Sequence, residues 1–248
     1  MEYRMLWDYH THTTFSHGKG SIEDNVIVAV KKGLKRIAIA DHGPGHLTFG
    51  IKREDIPKMR EEIERLRPLY PQIEIYLSVE ADISRKGNGI DIKDSEKSLF
   101  DFIIAGYHFA AFWGYTAENF IATKFGRDEN DSIKYAARGS LLVRNTEMVV
   151  RALYKNDIFM LTHPGDKGPF DILEIANSCV ATNTLMEISN WHPYLTTEGI
   201  RLAATTHASF ALSSDAHRPE RVGGFEKGLR RAMEAGLDPE RIVNIERI

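Results

Sequence analysis

The chain has 248 residues, of which 42% are hydrophobic and 27% are charged, a composition typical of globular proteins and not of disordered or fibrous ones. The formal net charge of −3 disfavours a nucleic-acid partner, and no apolar run of about 18 residues predicts a transmembrane helix. The first residues lack the apolar core of a signal peptide, and the single cysteine, Cys179, cannot form an internal disulfide. We therefore expect a cytoplasmic protein with no membrane partner, in which Cys179 is buried and inert.

Apolar segments rich in β-branched residues recur along the chain and predict strands. They are Tyr3–Tyr9, Arg36–Ala40, Ile73–Val79, Asp101–Tyr107, Ile158–Thr162, Thr184–Ser189 and Ser209–Ser214. Segments with apolar residues three and four apart lie between most of them and predict helices, namely Ser21–Lys32, Arg53–Leu69, Arg144–Asn156 and Glu198–His207. This alternation favours a parallel sheet, either open or closed into a barrel. No Gly-x-Gly-x-x-Gly follows a strand, which weakens the dinucleotide-binding form of the open sheet.

The interval from residue 109 to residue 142 is the exception to this alternation. It is aromatic at first and charged later. We interpret it as one or two helices in an enlarged loop or lid, because a connection of that length is usually functional or disordered. No linker or repeat divides the chain, so we expect residues 1–248 to form a single domain.

Residue types that bind metal ions end or follow almost every predicted strand. They are His10, His12, Asp41, His42, Glu80, His108, His163, Asp215 and His217, with Asn190 after the sixth strand. Because the carboxyl ends of parallel strands share one edge of a sheet or one face of a barrel, we expect these side chains to converge. His10 and His12 are two residues apart, so both point to the same face of a strand, and Asp215 and His217 repeat this spacing.

The candidate ligands narrow the choice of metal. Imidazole and carboxylate groups without thiolate suit zinc, manganese or iron. The candidates outnumber the ligands of one tetrahedral ion with an open position, which predicts two or three divalent ions. Neighbouring ions about 3.5–4 Å apart can hold a bridging hydroxide and act on phosphate esters.

Together with His17, these motifs resemble the PHP (polymerase and histidinol phosphatase) family of metal-dependent phosphoesterases over nearly the whole chain, and its small YcdX-like members most of all. The resemblance implies a distorted (β/α)₇ TIM-like barrel with three ions. It assigns His10, His12, Glu80 and Asp215 to the first ion. Glu80 would bridge to the second ion, which His108 and His163 also bind. The third would be bound by His17, His42 and His217.

The resemblance further implies that a small-molecule phosphate monoester is hydrolysed by a metal-bridging hydroxide, with Glu80 and Asp215 in the catalytic centre. Asp41 is predicted either to orient a metal-bound imidazole or to cap the following loop at Gly43. Predicted substrate contacts are Arg218, Asn190 and Lys167, and His192 is a further candidate pocket residue. We expect His46 and His207 to be structural or surface residues.

Other functions stay open at this stage. A PHP-type nuclease or phosphodiesterase acting on nucleic-acid ends is disfavoured by the charge balance. An amidohydrolase-type deacylase would share the His-x-His opening, but His108 stands where such enzymes often carry a carboxylated lysine. A non-catalytic metal-binding regulatory module is disfavoured by the intact ligand set. The sequence does not specify the substrate, the metal, or whether the chain forms a homo-oligomer.

Overall fold

The computed structural model describes residues 2–109, 114–125 and 139–248. The strands are β1 (Tyr3–Met5), β2 (Trp7–Thr11), β3 (Arg36–Ile39), β4 (Glu74–Leu77), β5 (Glu80–Asp82), β6 (Ile104–Gly106), β7 (Met160–Leu161), β8 (Leu185–Ser189), β9 (Phe210–Ser213) and β10 (Ile245–Arg247). The helices are α1 (Ile22–Lys31), α2 (Ile56–Leu66), α3 (Thr116–Phe125), α4 (Gly139–Lys155), α5 (Ile172–Thr182), α6 (Thr197–Ala204) and α7 (Glu226–Glu234). Short 3₁₀ helices include Arg53–Asp55, Asp94–Leu99, Pro219–Arg221 and Pro239–Arg241.

Two parallel sheets carry the fold, one in the order β2-β3-β4 and the other in the order β5-β6-β7-β8-β9. The third predicted strand is divided between them, because the chain changes its pairing partner at residues 78 and 79. The Ser78 amide still donates to the Ile39 carbonyl oxygen at 2.7 Å, whereas the Val79 carbonyl accepts from the Ile104 amide at 3.1 Å. Thus β4 pairs with β3, and β5 pairs with β6.

Hydrogen bonds join the two sheets where regular pairing stops. At one seam Thr11 and Ala216 form a parallel bridge, and the His12 amide donates to the Ala216 carbonyl oxygen at 2.8 Å. At the other seam His42 bridges to Glu80. The strands therefore succeed one another around a distorted TIM-like barrel in which β4 and β5 share one position. This confirms the predicted α/β barrel class.

The first predicted strand also has two parts with different partners. Tyr3–Met5 pairs antiparallel with Ile245–Arg247, and Trp7–Thr11 pairs parallel with β3. The antiparallel pair lies before β2, at the opposite end of the strands from the predicted site. The sequence pattern alone predicted one continuous strand here.

A β-bulge in β2 aims the predicted ligands. Asp8 pairs with Ile37 and Thr11 with Ile39, so β2 carries one more residue than β3 over this stretch. Tyr9 packs inside the barrel beside Phe159, with ring centroids 4.9 Å apart. His10 also points to the interior, because the extra residue changes the alternation of side chains. Bulges often re-aim side chains next to functional sites in this way.

Local signals fix the ends of the helices. α1 begins after Ser21, whose hydroxyl accepts from the Asp24 amide at 3.1 Å, and the Asp24 carboxylate accepts from the Ser21 amide at 2.8 Å, so the two residues form a capping box. α5 begins after Asp171, which caps the Glu174 amide at 3.0 Å. Asn183, the residue after its last turn, caps the helix in the left-handed conformation with φ 54°.

The structure describes only part of the enlarged connection between β6 and α4. α3 packs against α4 through two carboxamide hydrogen bonds between Asn119 and Asn145, at 2.9 and 2.7 Å. The rest of the predicted lid falls on residues 110–113 and 126–138, outside the described residues. The single domain with a lid stays a prediction.

Within the described ranges, none of the helices combines the length and the apolar character needed to cross a membrane.

Candidate metal centre

The predicted ligands converge at the carboxyl ends of the parallel strands, around Glu80. This carboxylate lies at the start of β5, is fully buried, and contacts histidines with both oxygens. Its Oε1 lies 2.8 Å from His163 Nε2 and 3.4 Å from His108 Nε2. Its Oε2 lies 2.9 Å from His42 Nδ1 and 3.3 Å from His10 Nε2. Each oxygen of one carboxylate therefore has its own group of nitrogen donors.

The first predicted ligand group is compact. The Nε2 atoms of His10 and His12 are 3.0 Å apart. Asp215 Oδ1 lies 3.3 Å from His12 Nε2 and 3.7 Å from His10 Nε2. These three residues offer ligand atoms within 4.8 Å of one another, and Glu80, His108 and His163 form a second such set. The structure thus brings together residues that were predicted for the first and second ions, with Glu80 placed between the two sets.

The third predicted group differs in detail from the structure. His12, His42 and His217 are the residues whose ligand atoms lie within 4.8 Å of one another. His17 lies beside this set, with its ring centroid 4.1 Å from that of His217 and 4.9 Å from that of His42. The predicted residues are therefore adjacent, and His12 lies between the first and third groups.

Unpartnered polar atoms at the centre fit a bound cation. His42 Nδ1 and Glu80 Oε2 are close but are not aligned for a hydrogen bond, and among the described residues neither atom has another hydrogen-bond partner. The same is true of His12 Nδ1 and His17 Nδ1. A buried polar atom without a partner destabilises a fold by about 1–3 kcal/mol. A divalent ion bound by these lone pairs would remove that penalty, so the residues fit a metal.

Two carboxylates behind the centre orient its histidines. Glu187 Oε1 lies 2.7 Å from His10 Nδ1, and Asp82 Oδ1 lies 2.6 Å from His108 Nδ1. Each carboxylate accepts the Nδ1 proton and leaves Nε2 directed at Glu80, as in carboxylate–histidine–metal arrangements. Sequence reasoning did not identify either residue. Asp82 follows Glu80 by two residues on β5, and this spacing could have drawn attention to it.

Charge within the cluster shifts the pKa values of the histidines in opposite directions. Burial by itself lowers the pKa of His108, but the charge of Glu80 and the hydrogen bond to Asp82 outweigh it and raise the pKa to about 10. Burial, together with the charges of neighbouring histidines, lowers the pKa of His17 to about 3. The metal-free cluster therefore mixes charged and neutral imidazoles.

Asp41 forms hydrogen bonds with the loop after β2, and not with an imidazole or with Gly43 as predicted. Its Oδ1 accepts from the Thr13 amide at 2.7 Å, and its Oδ2 accepts from the Thr13 hydroxyl at 2.6 Å. The Ser16 hydroxyl also donates to it, at 2.5 Å. These bonds fix the turn that leads from His12 to His17. Asp41 is thus a positioning residue for two candidate ligands, because its hydrogen bonds go to this turn rather than to an imidazole or to Gly43.

Asn190 does not have the geometry predicted for a substrate contact. Its Oδ1 accepts from the Lys227 amide at 2.8 Å, in the first turn of α7, and Asn190 does not line the cavity above the centre. The first amides of a helix have no acceptor within the helix, and the Asn190 carboxamide provides one for α7. Its position after β8 had suggested a role in the pocket.

An open cavity of about 570 Å³ lies above the ligands. The predicted contacts Arg218 and Lys167 line it, as does His192. Sequence analysis missed four further residues of its wall, which are His46, Phe49, Trp191 and Arg221. These lie in loops and in a short 3₁₀ helix after the strands, where hydrophobic periodicity carries no signal.

His46 is a pocket residue rather than the structural or surface residue that we expected. Its Nδ1 accepts from the Phe49 amide at 3.1 Å, so a neutral ring carries its proton on Nε2. Burial lowers its pKa to about 4, which keeps the ring neutral at neutral pH. His46 can therefore donate a hydrogen bond from Nε2.

Strained backbone accompanies the site. Among the described residues other than glycine, those with positive φ are His163 (29°), Lys167 (60°), Asn183 (54°) and Asp215 (49°). His163 and Asp215 are candidate ligands, and Lys167 lines the cavity. Such conformations cluster at functional sites because the surrounding structure must enforce them.

The fold and the centre define the class of this protein, a TIM-like barrel with a histidine–carboxylate metal-binding site. A family model described as the PHP domain matches residues 8–181. This match covers well over half of the chain, and the chain belongs to the PHP domain family.

Curated relatives and a solved structure extend this finding. A probable phosphatase from Shewanella loihica (strain ATCC BAA-1088 / PV-4) is 26% identical over 97% of this chain and 90% of its own length. One from Serratia proteamaculans (strain 568) is also 26% identical, over 96% and 89%. The histidinol phosphate phosphatase of Lactococcus lactis, solved with zinc, L-histidinol and phosphate, aligns with TM-score 0.61 and 16% identity over 94% of this chain and 95% of its own. That likeness supports the fold.

Proposed function

We propose that this protein is a metal-dependent phosphoesterase that hydrolyses a small-molecule phosphate monoester. Two or three divalent ions, of zinc, manganese or iron, would be bound by the residues around Glu80. Membership of the PHP family and the names of the curated relatives, which are probable phosphatases, support this proposal.

The observation that carries the proposal is the double environment of Glu80. Its two oxygens contact separate histidine groups, His108 with His163 and His10 with His42. A carboxylate shared in this way is suited to bridge two cations. The Thr162 hydroxyl donates to Oε1 at 2.8 Å and fixes the orientation of the carboxylate.

The residues have distinct roles in this mechanism. His10, His12, His108, His163, Glu80 and Asp215 would bind two ions, and His17, His42 and His217 would bind a third. When bound, the ions supply positive charge for the phosphoryl oxygens and lower the pKa of water to near neutrality. Glu187 and Asp82 hold the Nδ1 protons of His10 and His108 so that each Nε2 can bind. His46 lines the cavity, where a neutral ring with its proton on Nε2 can donate a hydrogen bond to a phosphoryl oxygen.

The direct test is hydrolysis of p-nitrophenyl phosphate by protein loaded with manganese or zinc, combined with elemental analysis. We expect turnover that chelator abolishes, and at least two ions per chain. Glu80→Ala should lose two ions and the activity, because it removes the shared ligand. Glu54→Ala changes an exposed glutamate of the Arg53–Asp55 turn and is the matched control. No turnover with any divalent metal, with less than one ion per chain, would refute the proposal.

A substrate panel separates the proposal from its alternatives. It includes histidinol phosphate, sugar phosphates and single-stranded oligonucleotides. Cleavage of oligonucleotides without hydrolysis of monoesters would replace the phosphatase with a nuclease. Full metal loading without any hydrolysis would instead favour a non-catalytic metal-binding module.

A further inference from the structure

Cationic side chains surround the mouth of the cavity. Lys19, Arg218 and Arg221 line it and are exposed, whereas the candidate ligands below them are mostly buried. We refer to Lys19, Arg218 and Arg221 as the mouth cations. The whole chain has a net charge of −3, so this local excess of positive charge is not a consequence of composition.

Backbone contacts hold the mouth cations on one side of the cavity. The Lys19 amide donates to the His217 carbonyl oxygen at 2.9 Å, and the Arg221 amide donates to the Arg218 carbonyl oxygen at 3.0 Å. The two loops also touch, because a Cβ added to Gly20 would lie 2.2 Å from Pro219 Cγ. The loop after β2 and the turn after β9 therefore present their charges together.

The mouth cations have no anionic partner in the parts of the chain that the structure describes. Lys167, on another side of the cavity, differs because its Nζ lies 2.6 Å from Asp166 Oδ2. The carboxylates that line the cavity, Glu80 and Asp215, are buried at its floor against histidines. The described residues thus leave the positive charge at the mouth without a neutralising carboxylate.

Trp191 gives one of these charges a fixed position. The Arg221 guanidinium lies over the indole ring, 3.9 Å from its centroid. Trp191 is 48% exposed and lines the same cavity. A guanidinium stacked on an aromatic ring is already ordered, so it loses little freedom when it binds an anion.

We propose that the mouth cations form a subsite for a second anionic group, a carboxylate or a phosphate, carried by the leaving group of the substrate. This inference rests on the proposed function, in which the scissile phosphoryl group lies at the floor among the ligands. The leaving group then extends toward the mouth, where guanidinium groups suit carboxylate and phosphate alike. A leaving group with a positive amine, such as histidinol, is disfavoured by the same charges.

Matched substrate pairs test this subsite. Glycerol 3-phosphate is compared with 3-phosphoglycerate for a carboxylate, and fructose 6-phosphate with fructose 1,6-bisphosphate for a phosphate. We expect the anionic member of at least one pair to have a kcat/KM about tenfold higher, on the scale of a charge-assisted contact. The pair that shows the preference identifies the anion. Histidinol phosphate should be hydrolysed less well than either preferred substrate.

Variants connect the preference to the residues. Arg218→Gln and Arg221→Gln should each reduce the ratio of kcat/KM between the paired substrates, and added salt should reduce it in the parent protein. Arg230→Gln removes an exposed guanidinium from α7, away from the cavity, and should leave the ratio unchanged. Calorimetry on metal-free protein with both members of the pair that shows the preference measures it without turnover.

The outcomes distinguish this inference from the function on which it rests. Hydrolysis of monoesters with equal kcat/KM within both pairs would overturn the subsite and leave the phosphatase intact. Equal losses for both members of a pair in Arg218→Gln and Arg221→Gln would also overturn it, because the arginines would then bind the scissile phosphate. Absence of hydrolysis for every ester would refute the proposed function itself.

Discussion

The Oε1 atom of Glu187 lies 2.7 Å from Nδ1 of His10, and both side chains are fully buried. The contact joins β8 to the end of β2 across the barrel interior. Glu187 also accepts hydrogen bonds from the His163 amide and the Ser213 hydroxyl, so one carboxylate orients residues from several strands. The position of His10 therefore depends on a residue that does not face the cavity.

Replacement of Glu187 by glutamine should weaken metal binding about 10- to 100-fold, the range found for partners behind a ligand. The amide keeps the size and one oxygen acceptor but removes the negative charge that makes His10 a better donor. Competition with a chromophoric chelator measures the affinity. Glu54→Gln, at an exposed position, serves as the control. Equal affinities for Glu187→Gln and the parent protein would contradict this role.

Metal loading should release protons. Burial lowers the pKa of His10, but the charges of Glu80 and Asp215 raise it well above its ordinary value, and His108 reaches about 10. At pH 7 both rings are protonated without metal, and each must lose its Nε2 proton to become a ligand. Affinity should therefore fall as pH falls.

Calorimetric titration in buffers of different ionisation enthalpy counts the protons released. We expect roughly two per chain at pH 7, one from each ring. Metal uptake without any buffer dependence would show that the rings are neutral before binding. Tighter binding at pH 6 than at pH 8 would contradict the sign of the effect.

Gly106, the last residue of β6, should not tolerate a side chain. A Cβ there would lie 2.1 Å from Thr162 Oγ1 and 3.2 Å from Glu80 Oε1. Gly106→Ala should displace the threonine that orients Glu80, with a loss of stability of about 1–3 kcal/mol and lower metal occupancy. Gly139→Ala, at a helix start with no atom within 4 Å of the added carbon, should change stability by less than about 1 kcal/mol. Thermal unfolding and elemental analysis check both, and parent-like behaviour of Gly106→Ala would be inconsistent with this packing.

Asn190→Ala tests whether Asn190 stabilises the start of α7, as in the structure, or contacts the substrate, as the sequence predicted. Loss of the acceptor for the Lys227 amide should destabilise the protein by about 1 kcal/mol, as for other helix caps. Urea denaturation measures this change, and the KM for a phosphate ester should stay at the parent value. A raised KM with unaltered stability would restore the substrate contact predicted from sequence.

The sequence pattern predicted the parallel sheet and its edge because those features follow from short-range rules, whereas the closed barrel was implied only by the resemblance to the PHP family. Strand–helix alternation predicts a parallel sheet, and parallel strands bring their carboxyl ends together. His10, Glu80 and Asp215 are recognisable for that reason, since each lies at the end of a strand or at its continuation. The short gap between β4 and β5 was not predictable, because a change of pairing partner leaves no mark on hydrophobic periodicity.

Residues that act through other residues were harder to find. Glu187 lies within a predicted strand, where a single buried carboxylate gives no pattern until its partner His10 is known. His46 and Trp191 lie in loops, and their place in the cavity depends on how those loops fold over the strand ends. Asn190 is the opposite case. It follows a strand, as the candidate ligands do, but its side chain accepts a hydrogen bond from the start of α7 and does not line the cavity.

The positive φ angles of His163 and Asp215 have a consequence for engineering. Each conformation stores about 1–3 kcal/mol that glycine would release. A selection for heat resistance alone should therefore enrich glycine at these positions and discard two candidate ligands. Thermostable versions of this barrel are better sought away from these positions, in helix caps and surface charges, where resistance to heat and function do not compete.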